Sequence, residues 1–135
     1  MTKFREFVLS GKFNEAYNLS KNMEKKLISD ELIAISFSTK NMLAYGFAVY
    51  ALLKEENDEY HDIAISLLMN SYIDLDGAAE LAYCHAKREL EYNDKSYSGL
   101  CNIRDLSSHP DNSGTKEDHE WAKNRINELY SDDIV

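Results

Sequence analysis

Four histidines are the side chains of this sequence best suited to acid–base or metal chemistry: His61, His85, His109 and His119. Imidazole titrates near neutral pH and is a common metal ligand. His61 and His85 fall on predicted helices, but neither belongs to an HxH or HExxH pair. Phosphate-binding loops, dinucleotide fingerprints and GxSxG elbows are also missing from the sequence. We expect these two histidines to be packing residues, and an enzyme that uses His61 or His85 with nearby acids is a third hypothesis.

A calcium-binding loop is the metal motif that the C-terminal part of the sequence approaches. Asp111, Ser113, Gly114 and Glu120 fall at positions three, five, six and twelve of such a loop. Position one, where the ion needs an oxygen ligand, is His109. The pattern therefore favours a surface loop over a metal site. We expect the chain to bind no metal and no other cofactor.

The charge of the chain indicates the chemistry of its partner. Its 135 residues include 15 Lys and Arg against 24 Asp and Glu, which gives a net charge of −9. Residues 1–56 hold eight of the basic and seven of the acidic side chains, and residues 57–135 hold the other seven and seventeen. This balance disfavours binding to nucleic acid or to anionic membranes. We expect a basic protein partner instead.

Six acidic residues stand in two junctions before consecutive predicted helices. They are Glu55, Glu56, Asp58 and Glu59 in the first junction, and Asp74 and Asp76 in the second. Acids at these places can be solvated residues that interact favourably with a helix dipole. They can also form a docking face that steers a basic partner. In a regular stack of helical hairpins, we expect the two junctions to point to opposite ends.

Aromatic residues are the other feature of the sequence that is typical of an interface. The chain has nine tyrosines, and a tyrosine can pack between helices or anchor a protein interface. The candidate partner-binding residues are therefore the six acids of the two junctions together with His61 and Tyr72.

Apolar residues recur at helical spacing almost throughout, which predicts an all-α fold in a single domain of residues 1–135. Two short helices come first. The later helices are predicted over residues 30–39, 41–56, 60–70, 74–92 and 98–107. Ser29 is the expected cap of the third helix. A last helix follows Thr115 and Asp118, which stand at capping-box spacing.

Short helices with short connections predict stacked antiparallel hairpins. We expect the first helix to pair with the second, the fourth with the fifth, and the sixth with the seventh. The fourth helix is apolar on nearly every face, which is typical of the centre of a stack. Gly46 and Ala82 fall at similar places in two units, at a separation close to the tetratricopeptide length of about 34 residues. The sequence therefore predicts a TPR-like helical repeat.

The cysteines and the apolar runs bear on the compartment. Cys84 and Cys101 form no CxxC pair, and Cys84 lies in an apolar helical stretch. We expect Cys84 to be a small core residue of a reduced, cytoplasmic protein, with a disulfide as the alternative. The N-terminal residues include no apolar region of signal-peptide length. The longest apolar run, residues 42–53, is too short to span a bilayer.

The segment 45–91 resembles a group of small helical bacterial immunity proteins that are encoded beside polymorphic or contact-dependent toxins. The residues that carry the resemblance are YGFAVYALLK at 45–54, EYH at 59–61, LL at 67–68, DGAA at 76–79 and YCHAKREL at 83–90. Those proteins have EGAY where this chain has Asp76 and Ala79, and a small residue where it has Glu89. The resemblance covers about a third of the chain.

The resemblance implies a protein that binds and blocks a toxin delivered by a neighbouring cell. Such toxins are often nucleases, EndoU-type RNases among them, and the immunity protein itself performs no catalysis. The alternative is a TPR-like adaptor or chaperone that binds peptide segments of a partner in a concave groove. An immunity protein should bind one folded domain tightly, whereas an adaptor should bind several peptides with modest affinity.

Overall fold

A computed structural model describes residues 2–39, 41–108 and 114–131. These residues form eight α-helices and no strand. The helices are α1 (Lys3–Leu9), α2 (Phe13–Ser20), α3 (Lys25–Thr39), α4 (Leu43–Lys54), α5 (Asp58–Met69), α6 (Ala78–Tyr92), α7 (Tyr97–Ser107) and α8 (Lys116–Tyr130). The all-α prediction is confirmed.

Successive helices pack against one another as antiparallel hairpins. The predicted pairs α1–α2, α4–α5 and α6–α7 all pack together. The most extensive contacts are those of α5 with α6 and of α7 with α8, so α5 and α6 form a central hairpin that the predicted pairing had divided between two units. The stacked-hairpin architecture is confirmed.

Helix α4 lies at the centre of the N-terminal half, as its apolar sequence predicts. It contacts α1, α2, α3 and α5. Its fully buried Phe47 packs edge-on against Phe4, with ring centroids 5.2 Å apart, and against Phe13, at 5.9 Å. Gly46 of α4 lies against the Phe13 ring of α2, which a Cβ at this position would meet at 3.4 Å, an ordinary van der Waals distance.

Two helices begin four or more residues away from their predicted starts at residues 30 and 74. Helix α3 begins at Lys25, so Ser29 lies inside it and is not its cap. The reason is that Ile28 and Leu32 are both fully buried, which extends the apolar stripe one turn towards the N-terminus. Helix α6 begins only at Ala78, because Gly77 has φ +86° and interrupts the helical backbone.

Cys84 is exposed, so its predicted place in the core is wrong. The buried face of α6 includes Ala78, Ala82 and Ala86. Their spacing of four residues defines a stripe that excludes Cys84. Cys84 and Cys101 are both free thiols.

The predicted capping box begins α8. Thr115 Oγ1 accepts a hydrogen bond from the Asp118 amide at 3.0 Å, and Asp118 Oδ2 accepts one from the Thr115 amide at 3.0 Å.

The calcium-loop positions His109, Asp111 and Ser113 lie outside the described residues. Within residues 2–39, 41–108 and 114–131, no group of three His, Cys, Asp or Glu could hold a metal ion. In the same residues, no helix has both the length and the apolar character needed to cross a membrane.

Candidate functional site

In the first acidic junction, between α4 and α5, Glu56 is paired with a basic side chain. Glu56 accepts hydrogen bonds from Arg88 Nε at 2.9 Å and pairs with Arg88 Nη2 at 2.8 Å. These bonds hold the pKa of Glu56 below its ordinary value. The remaining exposed acids, Glu55 and Glu59, line a cavity of about 350 Å³ together with Lys21 and Lys25.

Asp58 and Asn57 of this junction are engaged in structural contacts. Asn57 Oδ1 caps α5 by accepting a hydrogen bond from the Tyr60 amide at 3.0 Å. Asp58 Oδ2 accepts a hydrogen bond at 2.9 Å from the hydroxyl of Ser96, the N-cap of α7. The junction therefore joins α5 to α6 and α7, and only Glu55 and Glu59 are fully exposed.

The second acidic junction, between α5 and α6, has a different electrostatic character. Asp74, Asp76 and Glu80 are all exposed, and in the described part of the chain no ion pair involves them. Residues 73–80 line a cavity of about 400 Å³, and none of them is Lys or Arg. Two large apolar side chains are also exposed here, Leu75 at 50% and Leu81 at 38%.

The two junctions lie at opposite ends of α5, as the sequence predicts for stacked hairpins. Asp58 is the first residue of α5, and the second junction follows its last residue, Met69. A helix of 12 residues is about 18 Å long. A single contact surface therefore includes the acids of both junctions only if it extends along the whole length of α5.

Two of the predicted contact residues are buried and therefore do not form part of the candidate surface. Tyr72 is 1% exposed, and its hydroxyl donates a hydrogen bond of 2.5 Å to the carbonyl oxygen of Asn41. His61 is 3% exposed. A partner cannot contact either side chain on the folded protein, so the prediction is wrong for both. Tyr72 instead holds the second junction against the start of α4.

His61 belongs to a chain of polar side chains that crosses the interior between α4, α5 and α6. Tyr45 Oη lies 2.8 Å from His85 Nε2, and His85 Nδ1 lies 2.9 Å from His61 Nδ1. At the far end, His61 Nε2 lies 3.6 Å from Glu56 Oε2. That distance exceeds a hydrogen bond, so the last contact is an electrostatic one.

The Glu56 carboxylate fixes the direction of the hydrogens along this chain. A hydrogen on His61 Nε2 faces the carboxylate favourably, whereas a lone pair there would face negative charge. His61 Nδ1 is then an acceptor, His85 Nδ1–H donates to it, and the Tyr45 hydroxyl donates to His85 Nε2. Burial lowers the pKa of His61 and lowers that of His85 to about 4, so both rings are neutral at pH 7.

Two neutral imidazoles in contact can relay a proton. In this pair His61 is buried, and its two ring nitrogens face His85 and Glu56. The contact between the two rings joins α5 to α6. Sequence spacing alone missed the pair, although an antiparallel hairpin centred on residue 73 places residue 61 opposite residue 85.

A buried carboxyl group, Glu89, forms a second polar cluster beside the histidines. Its Oε2 accepts a hydrogen bond from the Ser98 hydroxyl at 2.9 Å, and its Oε1 accepts one from Asn102 Nδ2 at 3.1 Å. The Asn102 amide also donates to Asp62 Oδ1 at 2.8 Å. Burial and the neighbouring Asp62 raise the pKa of Glu89 to about 9, so Glu89 is protonated at pH 7.

The Glu89 cluster connects α5, α6 and α7 much as the histidines connect α4, α5 and α6. The small residue that the immunity proteins have in place of Glu89 could not make these hydrogen bonds. The buried titratable groups therefore connect the helices, whereas Glu55, Glu59, Asp74, Asp76 and Glu80 are exposed at the two ends of α5. Comparison of the chain with protein-family models, with curated proteins and with solved structures gave no match.

Proposed function

We propose that this chain is an immunity protein of the cytoplasm, which binds a cognate basic toxin domain by direct contact and neutralises it. A nuclease, with EndoU-type RNases among the candidates, fits the acidic charge best. The observation that supports the proposal is the second junction, where Asp74, Asp76 and Glu80 are exposed, unpaired among the described residues and accompanied by exposed leucines.

The physics of nuclease inhibition agrees with this surface. A nuclease binds its substrate through basic residues that neutralise phosphates, so an acidic protein can compete for the same groups. Opposite charge accelerates association by electrostatic steering, and apolar contacts at the centre of an interface slow dissociation. A cell that protects itself from the toxin needs fast association and slow dissociation, because the inhibitor must bind before the toxin acts and must stay bound.

A growth-rescue experiment tests the proposal. The C-terminal domain of the protein encoded immediately upstream is expressed in a neutral host, with and without this chain. We expect growth arrest without the chain and recovery with it, and analysis of RNA and DNA from arrested cells identifies the toxin's chemistry. Arrest that this chain does not relieve, or no arrest at all, contradicts the proposal.

A second candidate function is a TPR-like adaptor, which one groove supports. A cavity of about 250 Å³ between α6, α7 and α8 is lined by the apolar side chains of Leu90, Ile103 and Trp121, with Lys87 at its edge. Trp121 is 51% exposed, which suits a site for one side chain of a bound peptide. Titration with a peptide library distinguishes the candidates, since an adaptor binds several peptides and an immunity protein binds none of them tightly.

A further inference from the structure

We propose that the partner docks on residues 73–81, the α5–α6 surface, and that it presents Lys or Arg side chains around an apolar patch. This inference rests on the proposed function and narrows it to one end of α5. The occupant it names is a folded basic protein, because the α5–α6 surface combines exposed carboxylates with exposed leucines.

The α5–α6 surface includes exposed apolar side chains in addition to its carboxylates. Leu75 and Leu81 are both exposed, and Ile73 beside them is half-buried. Leu75 lies in the junction itself, while Leu81 lies in the first turn of α6, next to Glu80. Apolar side chains ringed by charged ones are typical of interface anchors, since burying them against a partner removes them from water.

Charge distinguishes the α5–α6 surface from the other end of α5. Asp74, Asp76 and Glu80 meet no basic side chain in the cavity that they line. At the α4–α5 junction, Arg88 pairs with Glu56, and Lys21 and Lys25 line the cavity of Glu55 and Glu59. Of the two cavities at the ends of α5, the one at the α5–α6 surface therefore has acidic residues and no Lys or Arg in its lining.

The α5–α6 surface is also held in shape before a partner arrives. The Leu75 amide donates to the Tyr72 carbonyl at 2.9 Å, and the Ala78 amide donates to the Leu75 carbonyl at 3.1 Å. Tyr72 is in turn fixed by its hydroxyl bond to Asn41. A preorganised surface loses less conformational entropy on binding than a mobile loop, which suits a tight inhibitor.

Matched charge reversals at the two ends of α5 test the inference. One variant carries Asp74→Lys and Asp76→Lys, and its control carries Glu55→Lys and Glu59→Lys, so both change the net charge equally. Association with the purified toxin domain is measured by stopped flow. We expect the first pair to slow association at least about tenfold and the control pair to change it by less than about twofold.

A leucine pair separates the apolar contribution from the charge. Leu75→Ser is compared with Leu53→Ser, because Leu53 at the end of α4 is 83% exposed and lies near the control junction. We expect Leu75→Ser to accelerate dissociation about tenfold and Leu53→Ser to leave it unchanged. All these positions are exposed, and circular dichroism melting verifies that every variant folds.

The outcomes separate this inference from the proposed function. If the wild-type chain relieves toxicity but the Asp74 and Asp76 reversals leave association unchanged, the α5–α6 surface is not the docking site, and the proposed function stands. If the Glu55 and Glu59 reversals slow association more than the Asp74 and Asp76 reversals do, the docking site is the α4–α5 junction. Failure of the wild-type chain to bind the toxin or relieve its toxicity overturns both statements.

Discussion

The Nδ1 atoms of His61 and His85 lie 2.9 Å apart, so one of these nitrogens carries a hydrogen and the other must not. Adding a proton to the acceptor would place two N–H groups against each other. Protonation of His61 at Nδ1 would therefore break this bond, whereas protonation of His85 at Nε2 would disrupt the hydrogen bond that this nitrogen accepts from the Tyr45 hydroxyl. Acid therefore weakens the polar contacts that join α4, α5 and α6 at this site.

The first prediction concerns the stability of the histidine pair below pH 6.5. Burial lowers the pKa of His85 from 6.5 to about 4, so the unfolded chain binds more protons than the folded one between these values. The contribution of the pair is fully present above pH 6.5 and is lost as the pH falls towards 4. Thermal melting should show wild type more stable than His85→Gln above pH 6.5, with the difference shrinking on acidification.

The control for this series is His119→Gln on α8. His119 is half-buried and bonds to a backbone carbonyl, not to another imidazole. Because each variant is compared with wild type at the same pH, the carboxylates common to both largely cancel. A His85→Gln difference that stays constant from pH 4 to pH 8 would show that the pair does not titrate as a buried neutral unit.

The second prediction concerns Glu89, whose pKa is shifted in the opposite direction. A pKa raised from 4.5 to about 9 means that the folded chain binds the extra proton, so stability is fully present below pH 4.5 and is lost as the pH rises towards 9. Glu89→Gln stays neutral throughout. Its stability relative to wild type should therefore rise as the pH increases from 5 to 8.

Urea unfolding at pH 5 and pH 8 measures this change, with Glu91→Gln as its control. Glu91 lies on the same helix but is exposed and paired with Arg88. Its substitution should shift the unfolding midpoint little at either pH. Equal shifts for the two variants would argue against a protonated Glu89.

The third prediction concerns the hydroxyl of Tyr72. Tyr72→Phe keeps the buried ring but removes the hydrogen bond to the Asn41 carbonyl. The expected loss is about 1 kcal/mol in the free energy of unfolding, together with weaker toxin binding through a less rigid α5–α6 surface. Tyr92→Phe, at an exposed tyrosine, is the matched control and should change neither quantity.

The fourth prediction concerns Gly77, whose φ of +86° lies in the left-handed region. A Cβ at this position would meet no atom within 4 Å, so the cost of Gly77→Ala comes from the backbone and not from a clash. We expect a loss of about 1 kcal/mol in the free energy of unfolding. Gly77→Asn should cost less, because Asn tolerates this conformation, and an equal loss for both would point to another cause.

Much of the fold could be predicted because it depends on local patterns. The apolar stripes of α4 and the capping box of Thr115 and Asp118 are visible in the sequence. A serine before an apolar stripe is typical of a helix N-cap, which favours Ser29 in that role. Burial of Ile28, however, extends α3 beyond Ser29 towards the N-terminus. Helix starts depend on such tertiary contacts, which the sequence does not show.

The surface chemistry was harder to predict than the helices. The acidic residues of both junctions are visible in the sequence, but the pairing of Glu56 depends on Arg88, which is distant in the chain. Tyrosine is common at interfaces, which favours Tyr72 as a contact residue, but its hydroxyl donates a hydrogen bond to the Asn41 carbonyl in the interior. The sequence does indicate one exposed apolar residue, Leu75, because it lies between two aspartates.

The backbone at the two ends of the α5–α6 surface is held by contacts that do not involve the exposed side chains of that surface. Tyr72 holds one end through Asn41, and Ala78 begins the buried stripe of α6 at the other. The side chains of Asp74, Leu75 and Asp76 point outward from this frame and support none of the core. On the docking surface that we propose, substitutions at these three positions would change which partner is recognised while leaving the fold intact.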